Sequence, residues 1–411
     1  MYVSSVELKN YRNYEYASIP FQDGINILYG DNAQGKTNVL ESLYVCATTK
    51  SHRGSRDKEM IQFGFEEAHI RMMVNKKGVD HRIDMHLKKQ KGKGAAIDGI
   101  MVKKSSELLG MVHMILFSPE DLSIIKNGPG ERRRFMDLEL CQLDKIYMSH
   151  LSKYNKTLNQ RNSLLKQISF SRDLVETLDI WDQQMVKYGV EIIKIREEFI
   201  KEMNEIISVI HEKLTGGKEH LFLEYEPSLT KDQYEKELFL RRERDIRQLS
   251  TGAGPHRDDI SFLVNGMDIR KFGSQGQQRT AALSLKLAEI KLVERMIKDK
   301  PILLLDDVLS ELDGNRKTYL MDSISGIQTI ITCTGLDEFV EGRLAIDQVY
   351  RVKDGAIYDY EYEEEQAVWV QMSMKDRNTE LTRFRFWKGW KQLERGPACI
   401  LEVPLPEDYI I

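Results

Sequence analysis

The apolar positions change their period several times along the first 130 residues. Val3, Val6 and Leu8 alternate loosely with polar residues, the period of two expected where one face of a strand is buried. Gly24-Ile25-Asn26-Ile27-Leu28-Tyr29 then reads as a short buried strand ending in a glycine-bearing loop, and a helix is predicted from Lys36 to about Ala47. From His69 to Met101 short alternating runs return, among them Ile70-Arg71-Met72-Met73-Val74 and Arg82-Ile83-Asp84-Met85-His86. Separated by Gly and Lys turns, they predict antiparallel strands. Val112 to Phe117 is another apolar run, stopped by Ser118-Pro119-Glu120-Asp121. That stop sets an N-cap, a first-turn proline and first-turn acids in the order a helix start needs.

Between Pro129 and Lys218 there is no proline, glycine is sparse, and apolar residues recur at spacings near three and four among Lys, Glu and Gln. This predicts two or more antiparallel helices broken near Ser169 to Asp173, without the clean heptad of an extended coiled coil. Strand-like segments return at Leu221 to Tyr225 and Ile260 to Val264, the second closed by the turn Asn265-Gly266. A helix from about Gln277 to Lys298, a strongly apolar strand Ile302 to Leu305, a helix after Asp313 and a strand Thr329 to Thr332 follow. Strand and helix alternation at both ends of an all-helical middle predicts an α/β nucleotide-binding head with an antiparallel β lobe and an inserted α-helical lobe. The expected division is 1–128 for the first half of the head with its β lobe, 129–218 for the helical insertion, 219–358 for the second half of the head, and 359–411 for a C-terminal extension of unassigned role.

At 411 residues the chain is too long for one small module. Lys and Arg number 60 against 64 Asp and Glu, so a polyanion partner must be held by local patches and not by an overall positive field. Cys46, Cys141, Cys333 and Cys399 are scattered, with no CxxC pair, which favours reduced thiols over disulfides or zinc. No secretory n-region opens the chain and nowhere do eighteen apolar residues run together, so a cytoplasmic protein with no membrane span is expected.

Gly30-Asp31-Asn32-Ala33-Gln34-Gly35-Lys36-Thr37 fits G-x-x-x-x-G-K-[ST], after a predicted strand and opening a predicted helix. Loop amides and the helix N-terminus would cradle phosphates, Lys36 would reach the β and γ phosphates of ATP, and Thr37 would ligate Mg²⁺. The plainer alternative is a glycine-rich turn. Ile302-Leu303-Leu304-Leu305-Asp306-Asp307 is a buried-strand run ending in two carboxylates. Asp306 would hold Mg²⁺ through water and Asp307 would act as general base on the attacking water; a solvated acidic turn is the alternative for that pair taken alone.

Gly273-Ser274-Gln275-Gly276-Gln277-Gln278-Arg279 opens the helix before the acidic strand, a second anion-binding terminus with no second phosphate to hold, and Ser310-Glu311-Leu312-Asp313 follows the carboxylates. This order resembles the ATP-binding-cassette (ABC) superfamily of P-loop ATPases, in which the signature of one subunit closes on the nucleotide held by the other. The resemblance implies an ATP-dependent head-to-tail homodimer. Further motifs narrow it. Leu8-Lys9-Asn10-Tyr11-Arg12-Asn13-Tyr14, Thr49-Lys50-Ser51-His52-Arg53, Phe117-Ser118-Pro119-Glu120-Asp121-Leu122, Gly130-Glu131-Arg132-Arg133-Arg134-Phe135, Gly254-Pro255-His256-Arg257-Asp258-Asp259 and Gly273 to Thr280 resemble the RecF family of bacterial repair ATPases related to SMC heads, up to about Gly355.

That resemblance implies nucleotide contacts at Gly30 to Thr37 and Asn38, Arg12 and Asn13 near the adenosine and phosphates, and Ser274, Gly276 and Gln277 completing the partner subunit's site. Glu120 would lie in the region that senses nucleotide. Ile331-Thr332-Cys333-Thr334 stands where cassette transporters carry a switch histidine, so Thr334 would be the γ-phosphate sensor and turnover would be slow. The implied function is an ATP-dependent, weakly DNA-stimulated ATPase of replication and recombinational repair. It would recognise single-stranded gaps or their duplex junctions and promote RecA loading with RecO and RecR. A nucleotide-binding subunit of another cassette system and a small-molecule phosphotransferase are the competing readings.

Candidate DNA contacts are Lys50, Arg53 and Arg56, the turn Lys88, Lys89, Lys91 and Lys93, and Lys103 and Lys104. Solvated surface loops are the ordinary alternative. No base-reading motif is present, so contact with backbone or junction shape is expected. Arg132, Arg133 and Arg134 fit core-edge ion pairing, nucleotide contact or DNA equally. From about Asp359 the sequence departs from the family pattern, reaching Arg383-Phe384-Arg385-Phe386-Trp387-Lys388-Gly389-Trp390. That alternation suits an amphipathic strand packed on the body, or stacking on single-stranded DNA.

Overall fold

Period-two alternation in the first strands and apolar runs in the later ones divide the head between two kinds of sheet. The structure, a computed structural model, describes residues 1–336 and 345–359. It opens with β1 (Tyr2–Tyr11) and β2 (Tyr14–Pro20), an antiparallel pair, followed by β3 (Ile25–Tyr29) and α1 (Lys36–Thr48). The β lobe continues through β4 (Glu67–Lys76), β5 (Val79–Lys88), β6 (Gly94–Ile97) and β7 (Ile100–Met101), giving an antiparallel sheet in the order β2-β1-β4-β5-β6-β7. β8 (Met114–Phe117) leads through α2 (Leu122–Lys126) into the helices α3 (Pro129–Leu143), α4 (Lys145–Ile168) and α5 (Leu178–Thr215). The chain then forms β9 (Leu221–Glu226), α6 (Tyr234–Leu240), α7 (Arg242–Gln248), β10 (Asp259–Val264), β11 (Met267–Asp268), α8 (Ile269–Phe272) and α9 (Gln275–Ile297). It closes with β12 (Ile302–Asp306), α10 (Gly314–Ser323), β13 (Thr329–Cys333), β14 (Ile346–Lys353) and β15 (Ala356–Asp359).

The head sheet runs β15-β14-β3-β13-β12-β8, parallel except for β15. Parallel strands are covered on both faces and therefore read as continuous apolar runs. In β12, Leu303 and Leu305 enter one core with Ile27, Phe117, α5 and α9, while Ile302 and Leu304 enter the other with Leu28, Leu116 and α1. Helix α1 lies in this second core with the buried residues Val6, Leu8, Ile70, Met72 and Met85 of the β lobe, and every residue from Val39 to Thr48 is buried. A helix enclosed this way is buried all round and not on one stripe.

The helical lobe is the antiparallel pair α4 and α5, broken at residues 169–177. Asp144 caps α4 by accepting from the Ile146 N–H at 2.6 Å, and Gly216, at φ 62°, ends the 38-residue α5 in the left-handed conformation that glycine adopts without strain. The helical layer extends beyond residue 218, because α6 and α7, between β9 and β10, pack back on α5 and α4. Their short, highly charged sequences carry too little periodicity to announce this. Asn265 and Gly266, at φ 49° and 79°, make the tight hairpin between β10 and β11.

Candidate nucleotide site

The β3 strand ends in the middle of the head sheet, between β14 and β13. Gly30 leaves it at φ 148°, and a Cβ there would lie 2.3 Å from the Val352 carbonyl oxygen, so only glycine fits. Ala33 takes φ 65° and Gly35 φ 117° before α1 begins at Lys36. The Asn13 amide donates to the Gln34 carbonyl at 2.9 Å, its oxygen accepts from Asn38 Nδ2 at 2.8 Å, and the Asp354 N–H donates to Gln34 Oε1 at 2.5 Å. The loop is thus clamped by the β1–β2 and β14–β15 turns. The Lys36 ammonium folds back over it and donates to the Gly30 and Asp31 carbonyls at 2.5 and 2.8 Å. Burial pulls the Lys36 pKa below its ordinary value, while the charges of Asp307 and Asp306 act in the opposite direction.

The acidic end of β12 meets the loop from across the sheet. Thr37 Oγ1 donates to Asp306 Oδ1 at 2.8 Å, and Thr332 Oγ1, on β13 between them, donates to the same oxygen at 2.8 Å. The Asp307 N–H reaches Thr332 Oγ1 at 3.1 Å, and Asp307 itself sits at φ 56°. Asp tolerates that left-handed region better than most residues. Thr332 therefore joins both carboxylate positions. Thr334, where the sequence suggested a phosphate sensor, is exposed just beyond β13.

Arg12 is committed to the protein. Its guanidinium donates to both oxygens of Glu41 at 2.7 and 2.6 Å, to Ser55 Oγ at 2.7 Å and to the Glu59 carbonyl at 2.9 Å. Glu41 is wholly buried in α1. Burial alone would raise its pKa, but hydrogen bonds from Arg12 and Ser51 and the guanidinium charge outweigh that and hold it below the ordinary value. Sequence reasoning missed Glu41 and Thr332. The available signals were a lone carboxylate in the apolar run from Val39 to Ala47, and a threonine inside the Ile330-Ile331 strand.

Asp31, Asn32 and Ala33 are exposed on the loop crest. At the start of α9, Ser274 Oγ accepts from the Gln277 N–H at 3.2 Å while Gln277 Oε1 accepts from the Ser274 N–H at 2.9 Å, a reciprocal cap. Ser274 and Gly276 are exposed, and Gln277 is further held by Glu219 at 2.9 Å. Among the described residues, no hydrogen bond or ion pair joins 273–277 to the chain's own loop at 30–37.

The basic candidates separate. Arg53 lies beside the loop helix, donating to Asn38 Oδ1 at 3.2 Å. Lys93 is turned inward onto the Thr49 carbonyl and Asp57 Oδ1, which ties the 88–93 turn to the 49–57 segment. Lys89 pairs with Glu66 at 3.1 Å, and Lys50, Arg56 and Lys91 are exposed, with Lys88 half-buried. Arg132 is buried in a bidentate pair with Asp259, Arg133 donates to the Asp258 carbonyl, and Arg134 donates to the Ser51 and His52 carbonyls. The aromatic and basic segment at Arg383 to Trp390 lies outside the described residues.

The model of the RecF/RecN/SMC N terminal domain matches residues 2–357. Over 357 residues the chain is 61% identical to the DNA replication and repair protein RecF of Lachnoclostridium phytofermentans, covering 87% of this chain and 99% of that one. The chain belongs to the RecF family. The RecF of Agathobacter rectalis is 60% identical with the same coverage. Among solved structures, the recombination mediator protein RecF-ATP of the RecFOR pathway matches with a TM-score of 0.81 and 36% identity, covering 87% of this chain and 97% of that one. An SMC head bound to the winged-helix domain of ScpA matches with a TM-score of 0.52 at 17% identity, over 89% of this chain and 99% of that one, a likeness of fold alone. The chain therefore carries the RecF and SMC type of ABC ATPase head. Among its described residues no helix is long and apolar enough to cross a membrane.

Proposed function

We propose that this RecF-family chain is an ATP-binding DNA replication and repair ATPase whose ATP-bound head-to-tail dimer holds DNA at single-stranded gaps or their duplex junctions. There it assists RecA loading together with RecO and RecR. The observation that carries the ATPase part is the meeting of Thr37, Asp306, Thr332 and the Asp307 backbone across three strands, beside Lys36. A hydroxyl and a carboxylate 2.8 Å apart are hard oxygen donors of the kind Mg²⁺ takes. Thr37 and Asp306 would hold the ion, Asp306 through water, and its charge would neutralise the terminal phosphates.

The loop amides and Lys36 bind and orient the phosphates. Asp307 accepts the proton of the water that attacks the γ-phosphorus as the bond to the β,γ-bridging oxygen breaks, releasing ADP and phosphate. Asn13 and Asn38 keep the loop in shape. Arg12 acts through Glu41, positioning α1 from its buried side. Ser274, Gly276 and Gln277 complete the partner subunit's site; the exposure of Ser274 and Gly276 supports this reading. For DNA, Lys50, Arg53, Arg56, Lys88, Lys89 and Lys91 supply backbone contacts, and Lys93 holds the two basic stretches together. The location is the cytoplasm, where these partners and ATP are found.

Light scattering after gel filtration tests the reading on Asp307→Asn protein with Mg²⁺ and ATP, with ADP, or with neither, each with and without gapped DNA. A mass that doubles only with ATP and carries DNA with it is expected. A monomer under every condition overturns the dimer, and mixing Lys36→Ala with Ser274→Arg subunits then gives no rescue of turnover.

A further inference from the structure

Away from the nucleotide loop, the solvent face of the antiparallel sheet carries an arrangement that neither ATP nor DNA binding requires. β4 and β5 pair so that His69 and His86 stand directly opposite each other, and Glu67 lies two residues before His69. Residues two apart on a strand share a face, and directly opposed side chains start about 5 Å apart at Cβ. The two imidazoles stack with centroids 3.9 Å apart and an interplanar angle of 25°. Each turns Nε2 toward the same carboxylate, His86 at 3.0 Å from Glu67 Oε2 and His69 at 3.7 Å from Oε1. One ligand atom from each of the three residues lies within 4.8 Å of the other two.

We propose that Glu67, His69 and His86 form a binding site for a divalent transition-metal ion, fitted to Zn²⁺, on the outer face of the β lobe. The donor set makes the choice of metal: two imidazoles and one carboxylate suit Zn²⁺ and its neighbours, whereas Mg²⁺ and Ca²⁺ prefer all-oxygen sites. The distances agree. Tetrahedral zinc with bonds of 2.0–2.2 Å spaces its ligands about 3.3 Å apart, and the two imidazole to carboxylate distances already lie on either side of that value. Metal takes the place of the hydrogen bond between His86 Nε2 and the Glu67 carboxylate, whose proton passes to solvent, and the fourth position is left to water.

Lys9 stands opposite His69 on β1 and Lys88 opposite Glu67 on β5, while Arg71 and Asp84 pair one row away. The two lysines oppose a cation, and neither imidazole Nδ1 has a hydrogen-bond partner among the described residues. Missing outer-shell partners cost about 10–100-fold in metal affinity, so the site binds more weakly than a zinc site whose imidazoles have such partners. Because Glu67 and Lys88 are opposed at the root of the 88–93 turn, the ion pins β4 to β5 where the basic turn begins.

The test uses the full chain without an affinity tag, free of nucleotide and chelator, titrated with Zn²⁺ against a chromophoric chelator and with Co²⁺ followed by its visible absorption. About one equivalent of Zn²⁺ per chain and a tetrahedral-type Co²⁺ spectrum are expected. His69→Gln with His86→Gln should remove that equivalent, and Glu67→Gln should weaken it about tenfold. All three side chains are exposed or half-exposed, so these variants should fold with unchanged circular dichroism and unchanged ATP binding. Absence of saturable Zn²⁺ binding overturns the proposal. So does an equivalent that survives the double substitution, which would place the metal on a thiol or at the nucleotide loop.

Discussion

The loop end of the head sheet and the root of the helical lobe both bury charge, but they treat it in opposite ways. At the root, the Arg196 guanidinium donates to Asp258 Oδ2 at 2.8 Å, to Asp137 Oδ1 at 2.7 Å and to the Pro255 carbonyl at 2.7 Å, and its Nε to the Tyr147 hydroxyl at 3.0 Å. Asp258 also accepts from Tyr225 and from the Ser228 N–H. The cation is met on every side by protein, across α3, α4, α5, β9 and the Gly254 to Asp259 segment. At the loop, by contrast, the Lys36 ammonium rests on two carbonyls of its own turn, contacts that an arriving phosphate could replace. Burial of charge therefore does not mark function by itself. What separates a fastening from a binding site is whether neighbouring groups complete the charge or leave it complementary to something else.

Breaking that comparison should have its largest effect at the root. Arg196→Ala leaves Asp258 buried without its cation and should lower the unfolding free energy by about 3–5 kcal/mol in urea denaturation. A cost below about 1 kcal/mol would mean that the network is no fastening. Lys36→Ala should reverse the pattern. Turnover of ATP should fall by about 10²–10³, the cost of removing one preorganised charge stabiliser, while the melting temperature hardly moves.

Proton uptake sharpens the contrast. Burial pulls the pKa values of His52, His113 and His256 down to about 4. Each binds its proton less readily folded than unfolded, so its contribution is whole above about pH 6.5 and is lost as pH falls toward 4, at most about 3 kcal/mol apiece. Asp121, pushed up to about 6 by burial, works the other way over part of this window. The melting temperature should thus be lower at pH 5 than at pH 7.5. His256→Asn should flatten the slope, because His256 at the root is held neutral between the Tyr154 hydroxyl and the Thr251 carbonyl. The smallest effect is expected from Thr332→Val, which keeps the shape of the side chain and removes one hydroxyl. About a tenfold loss of turnover is expected, matching the loss of the hydroxyl's two hydrogen bonds, to Asp306 and from the Asp307 N–H, at about 0.7 kcal/mol each, with little change in melting temperature.

Short-range chemistry was open to reading. Gly30 to Thr37 could be recognised because glycine conformations, a lysine and a hydroxyl must follow one another at set spacing where a strand turns into a helix. The helix break near Ser169 to Asp173 and the Asn265-Gly266 turn were visible because periodicity and turn residues act within a few positions. Arg132, Arg133 and Arg134 stood open between three roles, and packing chose protein partners for each of them. Arg12 went to Glu41 for the same reason: a carboxylate enclosed in α1 must be paired, and the guanidinium was within reach.

By itself, the sequence determined the glycine-bearing loop from Gly30 to Thr37, the acidic strand end, the alternation of strands and helices, and the family those motifs imply. Each depends on residues close in the chain, where backbone geometry and hydrophobic period leave few choices. Only the tertiary structure decided that Thr332 stands between Asp306 and Asp307, that Lys93 ties two basic stretches together, and that His69 and His86 share a carboxylate with Glu67. These depend on strand order and register, which the packing of the whole head sets and no short stretch encodes.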